Sequence, residues 1–380
     1  MLTDEQEALR EAVATFAQDK VAPVIAGHYA NHTFPYEIVA AMGAMGLFGL
    51  PFPTEYGGMG GDLMALGIAI EELARVDSSV AITLEAAVCL GAMPIYRYGT
   101  PEQKATWLPR LVSGEALAAF GLTEPEAGSD AGALRTRAVL DESTNEWVIN
   151  GTKAFITNSG TDITALVTVA AVTGERDGRP EISTILVPTD TPGLSVAPSY
   201  DKVGWCASDT HELSFVDVRV PAENLLGERG RGLAQFLRIL DEGRVAIAAL
   251  ATGLAQGCVD ESVAYAKRRV AFDRPIGSFQ AIAFMIADMQ ARAHVARLAW
   301  RDAASRAVQG LDFTTAAAIA KLTASETAVA NARAATQIHG GYGFMTETPV
   351  ARFWRDAKIL EIGEGTSEVQ RLIIARELGL

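Results

Sequence analysis

The hydrophobic periodicity of the chain changes twice along its 380 residues. Residues 1–118 and 226–380 place apolar side chains three and four residues apart, the spacing of amphipathic helices. Residues 119–225 instead carry short Val-, Ile- and Phe-rich runs between Gly, Pro and Asp, which is typical of strands joined by turns. We therefore predict an α+β multidomain protein with a helical N-terminal domain (1–118), a small middle β-barrel or β-sandwich domain (119–225) and a C-terminal antiparallel four-helix bundle (226–380).

Local signals predict individual elements. Thr3 and Gln6 have the spacing of a capping box at the start of a first helix. Residues 71–90 read as one long helix, and residues 101–111 as a shorter one. The predicted bundle helices span residues 231–268, 279–309, 312–338 and 367–378.

In the middle region, Asn150-Gly151 lies between two apolar runs and predicts a tight hairpin turn. Further strands are predicted at residues 165–172, 182–187, 194–197 and 213–220.

The charge balance narrows the function classes. The chain has 46 acidic and 32 basic residues, a formal net charge of −14, so repulsion from phosphates makes nucleic acid an unexpected partner. Cys89, Cys206 and Cys258 have neither metal-ligand nor paired disulfide spacing, so no metal site is expected. Without a long uncharged apolar run or the pattern of a signal or transit peptide, we expect no membrane span and a cytoplasmic location.

Common cofactor and nucleophile motifs are absent from the sequence. Residues 57–61 and 227–232 are rich in glycine, but neither has the order or the strand-to-helix setting of a dinucleotide fingerprint. The sequence also lacks a Walker lysine and a nucleophile elbow. Composition and periodicity alone therefore indicate an enzyme-sized chain without naming its reaction.

Five motif-bearing regions add the missing information. They are YGGMGG at 56–61, FGLTEPEAGSD at 120–130, INGTKAFITN at 149–158, the run at 265–280, and the set QIHGG, RDAK and EGTSE between 337 and 368. In this order they resemble the acyl-CoA dehydrogenase family over essentially the whole chain. The resemblance implies FAD, an acyl-CoA substrate, an electron-transfer flavoprotein as electron acceptor, and a homotetramer built as a dimer of dimers.

Dehydrogenation of a thioester between its α and β carbons needs a carboxylate base on one side and a flavin on the other. Glu364 matches the usual catalytic base of the family. Some relatives carry the base on a bundle helix just before an arginine, but here Gly243 precedes that arginine, Arg244, so the resemblance assigns the base to Glu364. From the residues alone, the preferred interpretation of Glu364 is an acidic side chain near a helix start, since Ser367 and Gln370 have capping-box spacing.

The resemblance also implies the cofactor contacts. A first group lies along the flavin ring, and a second forms an arm and a glycine turn that reach the FAD of a neighbouring subunit. The implied cofactor-binding residues are Phe120, Leu122, Thr123, Ser129, Phe155, Thr157, Arg269, Phe272, Gln280, Gln337, Gly340, Gly341, Thr366 and Glu368. Phe120 and Phe155 are equally compatible with a place in the core of the β domain. Asp273 stands where the family commonly has glycine, and Gly363 where it often has an aromatic residue.

Four positions resemble substrate contacts of the family: Ser129, Asp241, Arg244 and Gly365. Asp241 and Arg244 lie three apart on one helix, so an ion pair within that helix is an equal alternative.

The function implied is FAD-dependent oxidation of an acyl-CoA to the trans-2-enoyl-CoA. Two alternatives remain at this point: a flavin oxidase or monooxygenase on the same fold, and a non-catalytic thioester-binding relative. Acyl chain length stays open, with a pocket expected around residues 82–90.

Overall fold

The computed structural model describes residues 2–176 and 178–380. Seven α-helices precede the first strand: α1 (Asp4–Phe16), α2 (Ile25–Asn31), α3 (Tyr36–Ala44), α4 (Leu63–Ala74), α5 (Ser78–Glu85), α6 (Met93–Tyr98) and α7 (Pro101–Ser113). The predicted capping box begins α1: the Gln6 amide donates to Thr3 Oγ1 (3.2 Å), and the Thr3 amide donates to Gln6 Oε1 (3.1 Å). These bonds satisfy two amides that a helix start otherwise leaves unpaired.

The single long helix predicted over residues 71–90 was wrong. Helix α4 ends at Ala74, and Asp77 begins α5 by accepting hydrogen bonds from the amides of Ser79 (2.9 Å) and Val80 (3.1 Å). An aspartate at this position competes with helix continuation because its side chain replaces the missing backbone acceptor. The chain then widens into a π-helix over Ala86–Ala92 before α6.

One helical stretch, Ser78–Tyr98, is apolar enough to be a candidate membrane span by composition, with a mean hydropathy of 1.6. This stretch belongs to the core of the N-terminal domain, because 94 % of its most apolar 18-residue segment is buried inside the protein.

The middle domain is one mixed sheet of eight strands. They are β1 (Leu117–Gly121), β2 (Arg137–Asp141), β3 (Glu146–Thr157), β4 (Thr164–Arg176), β5 (Arg179–Pro188), β6 (Leu194–Val196), β7 (Thr210–Pro221) and β8 (Leu225–Leu226). The order is β6-β7-β3-β2-β4-β5-β8, and β1 pairs in parallel with β4. Trp147, Ile149, Val169 and Phe215 belong to the buried apolar cluster of this domain.

The hairpin predicted at Asn150-Gly151 was wrong. β3 continues through both residues, and its register against β7 shifts between Ile149 and Gly151. Gly151 has φ 154, and an added Cβ would lie 2.4 Å from Thr136 Oγ1. Gly151 therefore allows a β-bulge and a close approach of β3 to Thr136, although the dipeptide Asn-Gly is otherwise typical of a turn.

The C-terminal region contains a small hairpin and five helices: α8 (Gly232–Arg268), β9 (Val270–Ala271), β10 (Arg274–Pro275), α9 (Gln280–Val308), α10 (Thr314–His339), α11 (Pro349–Ala357) and α12 (Ser367–Glu377). The four predicted bundle helices are confirmed within a residue or two, and α11 was missed. The predicted domain limits, which fall within β1 and β8, remain a proposal.

Small residues bring the helices together. Ala248, Ala251 and Ala320 are fully buried. At Gly253 an added Cβ would lie 2.1 Å from the backbone oxygen of Glu71, so α8 and α4 approach too closely for any larger residue. The N-terminal domain thus packs directly on the bundle.

Asp356, in α11, joins the three domains. Its Oδ1 accepts from the Tyr29 hydroxyl (2.6 Å) and the Trp205 amide (2.7 Å), and its Oδ2 accepts from the Ser78 hydroxyl (2.7 Å). These donors come from the N-terminal domain and from the β domain, and Asp356 is fully buried. The RDAK motif therefore has a structural explanation: its aspartate ties the domains together.

We predict that Asp356→Ala lowers the free energy of unfolding by about 3–5 kcal/mol, because it leaves several buried hydrogen-bond donors unpaired and creates a cavity. The measurement is thermal unfolding beside Glu347→Ala, which removes an exposed carboxyl just before α11. Equal midpoints for the two variants would contradict the junction role.

Candidate active site

Glu364 lies in the turn between the short 3-10 helix Lys358–Glu361 and α12. The helix cap is Thr366, whose hydroxyl accepts from the Val369 amide (3.3 Å); the capping box predicted at Ser367 was wrong. Ser367 is already inside the helix, and its buried hydroxyl has no partner among the described residues.

The backbone of this turn is left-handed, with φ 53 at Glu364 and φ 93 at Gly365. A non-glycine residue in that region stores strain of about 1–3 kcal/mol, which surrounding contacts must hold. Two donors do so: Lys321 Nζ (2.7 Å) and Gln370 Nε2 (2.9 Å) both donate to the Gly365 carbonyl oxygen. The side chain of Glu364 is thereby aimed by a fixed turn.

The two carboxylate oxygens of Glu364 are shielded from solvent, and within residues 2–176 and 178–380 neither a cation nor an amide donates to them. Their hydrogen-bonding neighbour is the Glu85 carboxyl. They lie against Gly243, where an added Cβ would be 2.2 Å from Oε2. The position that carries the base in some relatives therefore faces the same point as Glu364, and glycine leaves room for it. Glu242 turns elsewhere and pairs with Arg97 (2.9 Å).

Burial raises the pKa of Glu364 to about 7, and a hydrogen bond with the Glu85 carboxyl and the charges of Arg244 and Lys321 limit that rise. A second carboxyl contributes to this environment. Glu85, at the end of α5, is fully buried beside Glu364, and the pKa of Glu85 is raised well above its usual range by burial and by the neighbouring carboxyl. A carboxylate with a pKa near 7 is suited to accept a proton at neutral pH.

Arg244 and Asp241 form the ion pair within α8 that the sequence left as an alternative. Their contact is 2.6 Å, and both side chains are buried. Thr314 Oγ1 also donates to Asp241 Oδ2 (3.1 Å). Contact with a CoA thioester by this pair stays a prediction.

The ring-side residues come from two adjacent segments. Lys153, in β3, is fully buried, and its Nζ donates to Glu124 Oε1 (2.8 Å) and to the Leu122 carbonyl (3.1 Å). The Ala154 amide donates to the Thr123 carbonyl (2.9 Å). Because the ion pair joins the FGLTEPEAGSD and INGTKAFITN motifs, their candidate residues are held side by side.

Phe155 is 64 % exposed and has φ 60, an uncommon conformation for an aromatic residue. Its ring centroid lies 5.2 Å from that of Tyr200. Phe120 instead packs inward on Phe236, with the centroids 4.2 Å apart. The alternative that both rings are β-domain core is therefore excluded for Phe155, whereas Phe120 is half-buried and packs on α8 at the edge of the β domain. Thr157 is half-buried at the end of β3.

The arm residues Arg269, Phe272 and Gln280 surround the β9–β10 hairpin and are exposed. Phe272 is 87 % exposed, and the left-handed pair Phe272 (φ 53) and Asp273 (φ 63) forms the hairpin turn. Asp273 therefore adopts a left-handed conformation that glycine, the residue common at this position in the family, adopts more easily.

A cavity of about 570 Å³ lies beside the arm and is lined by Arg269, Gly340 and Gly341, together with Tyr265, His339 and Tyr342. An added Cβ at either glycine would meet nothing within 4 Å. Packing within the chain therefore requires neither glycine, although the backbone of Gly340 (φ 58) by itself favours glycine. The open space at both positions fits the predicted role of leaving room for a bound group.

The donor set fits FAD. Arg269 offers a cation for a pyrophosphate, and the exposed amides of Gln280 and Gln337 make no side-chain hydrogen bond in the described part of the chain. The Thr366 hydroxyl already accepts a hydrogen bond as the cap of α12. The side chains of Glu368 and Ser129 are exposed to solvent.

Sequence reasoning missed Glu85, Lys321 and the Lys153–Glu124 pair. Glu85 carried a visible signal, since it is the only charged residue between Val80 and Leu90. Lys321 carried none, because its link to Gly365 joins residues distant in the sequence.

Family models match the chain from end to end. The N-terminal, middle and C-terminal domain models of acyl-CoA dehydrogenase match residues 3–115, 119–218 and 230–379, respectively. Among curated proteins, the probable acyl-CoA dehydrogenase YngJ of Bacillus subtilis is 50 % identical, over 99 % of this chain and 98 % of its own.

Solved structures agree with that match. Butyryl-CoA dehydrogenase from Megasphaera elsdenii aligns with a TM-score of 0.96 and 41 % identity, over 100 % of this chain and 99 % of its own. A chain in a structure of the electron transferring flavoprotein of Acidaminococcus fermentans aligns with a TM-score of 0.96 and 40 % identity, over 100 % and 98 %.

The contact at Gly243 yields a prediction. Gly243→Ala places a methyl group where the Glu364 carboxyl now lies, and the flexible side chain, not the backbone, must move. We expect kcat to fall by about 100-fold for a displacement near 1 Å, with FAD content unchanged. The matched control is Gly27→Ala in α2, where an added Cβ meets nothing within 4 Å. Equal kcat in both variants would exclude the assigned position of the carboxyl.

Proposed function

Because the chain belongs to the acyl-CoA dehydrogenase family and is an FAD-dependent acyl-CoA dehydrogenase, we propose that Glu364 is the base that removes the α proton of the thioester. The observation that carries this proposal is the solvent-shielded carboxyl of Glu364, which no cation contacts directly and which a strained turn holds against Gly243. A pair of buried carboxyls without a directly bound cation is unfavourable for folding, which favours a functional role for Glu364.

The residues of the chain divide the work of the reaction. Glu364 accepts the proton, and the hydrogen bond with Glu85 together with the charges of Arg244 and Lys321 keeps its pKa near 7 instead of higher. The backbone amides of Glu364 and Gly365 have no acceptor among the described residues, so they are available to the thioester oxygen. Donors at that oxygen stabilise charge that develops when the α proton leaves.

Bound FAD supplies the hydride acceptor, at its N5 atom. Phe155 and Thr157, and the Leu122–Thr123 segment beside them, are proposed to hold the ring opposite Glu364. Arg269, Phe272, Gln280, Gln337, Gly340 and Gly341 are proposed to bind the FAD of a neighbouring subunit. The exposure of this arm and its adjacent cavity support a shared site, and hence the predicted homotetramer built as a dimer of dimers.

We also propose a short acyl chain as substrate, because butyryl-CoA dehydrogenase is a similar structure over the whole chain. The electron transferring flavoprotein named for another similar structure supports such a flavoprotein as the electron acceptor. Cys89, Cys206 and Cys258 are buried and form no disulfide, consistent with the cytoplasmic location that the sequence predicts. The relatives do not favour the oxidase or monooxygenase alternative, nor the non-catalytic one.

The test of the base is Glu364→Gln in the FAD-loaded protein. We expect normal flavin content, but anaerobic bleaching of the flavin by butyryl-CoA slowed by at least about 1,000-fold, because an amide cannot accept the proton. Glu361→Gln, which changes a carboxyl three residues away in the 3-10 helix, should bleach at the wild-type rate. Rapid bleaching of the Glu364 variant would exclude the base assignment.

The pH profile provides an independent check. Since the base must be ionised and its pKa is raised to about 7, kcat/KM for butyryl-CoA should rise with pH and level off above about 7. Below that value it should fall about tenfold per pH unit. A profile already flat at pH 5.5 would mean that the acting carboxyl has an ordinary pKa.

A further inference from the structure

Helix α8 runs from the surface of the protein into the candidate active site. Residues 241–259 of this helix are buried, and Gly243 among them lies against the Glu364 carboxyl. The exposed residues at the start of the helix are Arg231, Ala234, Leu237 and Arg238. Spacings of three, four and seven residues place them on one face of the helix. A large ligand with its reactive end at Glu364 can therefore extend along this face into solvent.

Arg238 lies in a cluster with an excess of positive charge. It comes within 3.8 Å of Asp241 Oδ2, but Asp241 is already paired with Arg244 at 2.6 Å. The other carboxyl near Arg238 is that of Glu242, which pairs with Arg97 at 2.9 Å. Three arginines thus face two carboxylates, in a chain with a formal net charge of −14. An anion bound here would meet a local field opposite in sign to that of the whole protein.

Stacking restrains the Arg238 side chain without covering it. Its guanidinium carbon lies 4.9 Å from the centroid of the Phe313 ring, and 52 % of the side chain is exposed. A guanidinium held in this way keeps its N–H groups accessible to a ligand and loses less conformational freedom when it binds.

Arg231 precedes the first turn of α8 and supplies a second cation. Its side chain is exposed and forms no ion pair or side-chain hydrogen bond within the described part of the chain. The loop that carries Ser129 lies beside this turn, since a Cβ built on Gly132 would be 3.8 Å from Leu233 Cδ2. Ser129, a substrate contact implied by the family resemblance, is three residues from Gly132. The start of α8 and a second candidate substrate segment are therefore neighbours.

The spacing of the two arginines fits the length of CoA. At a helical rise of 1.5 Å per residue, Arg238 lies about 8 Å and Arg231 about 18 Å from Gly243 along the helix axis. The extended pantetheine arm of CoA spans roughly 15 Å between its sulfur and its first phosphorus, at a reach of about 3.5 Å per three backbone bonds. With the thioester at Glu364, the pyrophosphate would therefore reach the stretch between the two arginines.

We propose that Arg231 and Arg238 bind the phosphate groups of CoA and so make the enzyme selective for CoA thioesters over pantetheine thioesters. The inference rests on the proposed function, since it places the reacting carbons at Glu364. Arginine binds phosphate oxygens through two parallel hydrogen bonds, which matches the chemistry of this ligand. Because neither arginine reaches the reacting carbons, their contribution is to substrate binding and not to proton transfer.

The test compares butyryl-CoA with butyryl-pantetheine, which has the same acyl group and thioester but no phosphate. In the FAD-loaded protein, Arg231→Ala and Arg238→Ala should each raise KM for butyryl-CoA by about 5- to 20-fold, because charge-assisted hydrogen bonds to phosphate are lost. Since such binding is equal in the ground state and the transition state, kcat should not change. Neither variant should change kcat/KM for butyryl-pantetheine.

Three controls separate phosphate binding from a general effect of charge. Arg238→Lys keeps the charge but not the paired hydrogen bonds, and should raise KM for butyryl-CoA less than Arg238→Ala does. Arg110→Ala removes an exposed arginine of α7, also without an ion pair among the described residues, and should affect neither substrate. Added salt should raise KM for butyryl-CoA more in the wild type than in the double alanine variant of Arg231 and Arg238.

A wild-type KM for butyryl-CoA in the double alanine variant would overturn the inference. So would equal losses on butyryl-CoA and butyryl-pantetheine, because the arginines would then support the shared acyl end or the fold and not the phosphates. Failure of the base assignment is recognised separately, as rapid bleaching of Glu364→Gln, whatever the two arginines bind.

Discussion

The active site depends on keeping the Glu364 carboxyl out of water and away from direct contact with a cation. Desolvation alone would protonate Glu364 throughout the physiological range, and a full ion pair would stabilise it too well to act as a base. In the structure, Glu364 is in neither extreme environment. The Glu85 carboxyl is hydrogen-bonded to it, and Arg244 and Lys321 act on it through space while their own hydrogen bonds go to Asp241 and Gly365. Gly243 leaves the volume that this carboxyl needs.

The same carboxyl explains why three domains must be fixed relative to one another. Glu364 comes from the C-terminal region, Glu85 from the N-terminal domain, and the proposed flavin-facing residues from the β domain. Buried polar groups lock these units: Asp356 accepts from Tyr29, Ser78 and Trp205. Since such groups are costly to leave unpaired, the domains have one favourable arrangement, and a reaction that needs sub-ångström placement can rely on it.

The sequence was informative where a signal is local or repeated. The spacing of apolar residues and the high alanine content predicted the bundle helices closely. The order of the motifs along the chain indicated the family. It failed where tertiary contacts override local preference: Asn150-Gly151 reads as a turn, yet a close approach to Thr136 uses the glycine inside a strand. Asp77, read as part of a helix, starts one. The role of Lys321 depends on contacts between distant segments, which one sequence does not reveal.

The most direct test of the central claim is a crystal structure of the FAD-loaded protein with a bound, unreactive acyl-CoA analogue. The quantity to measure is the distance from the Glu364 carboxylate to the α carbon of the ligand. The account predicts about 3–3.5 Å, with the flavin on the opposite face of the acyl chain. A carboxyl turned towards bulk water, or a thioester bound away from Gly243 and Gly365, would contradict it.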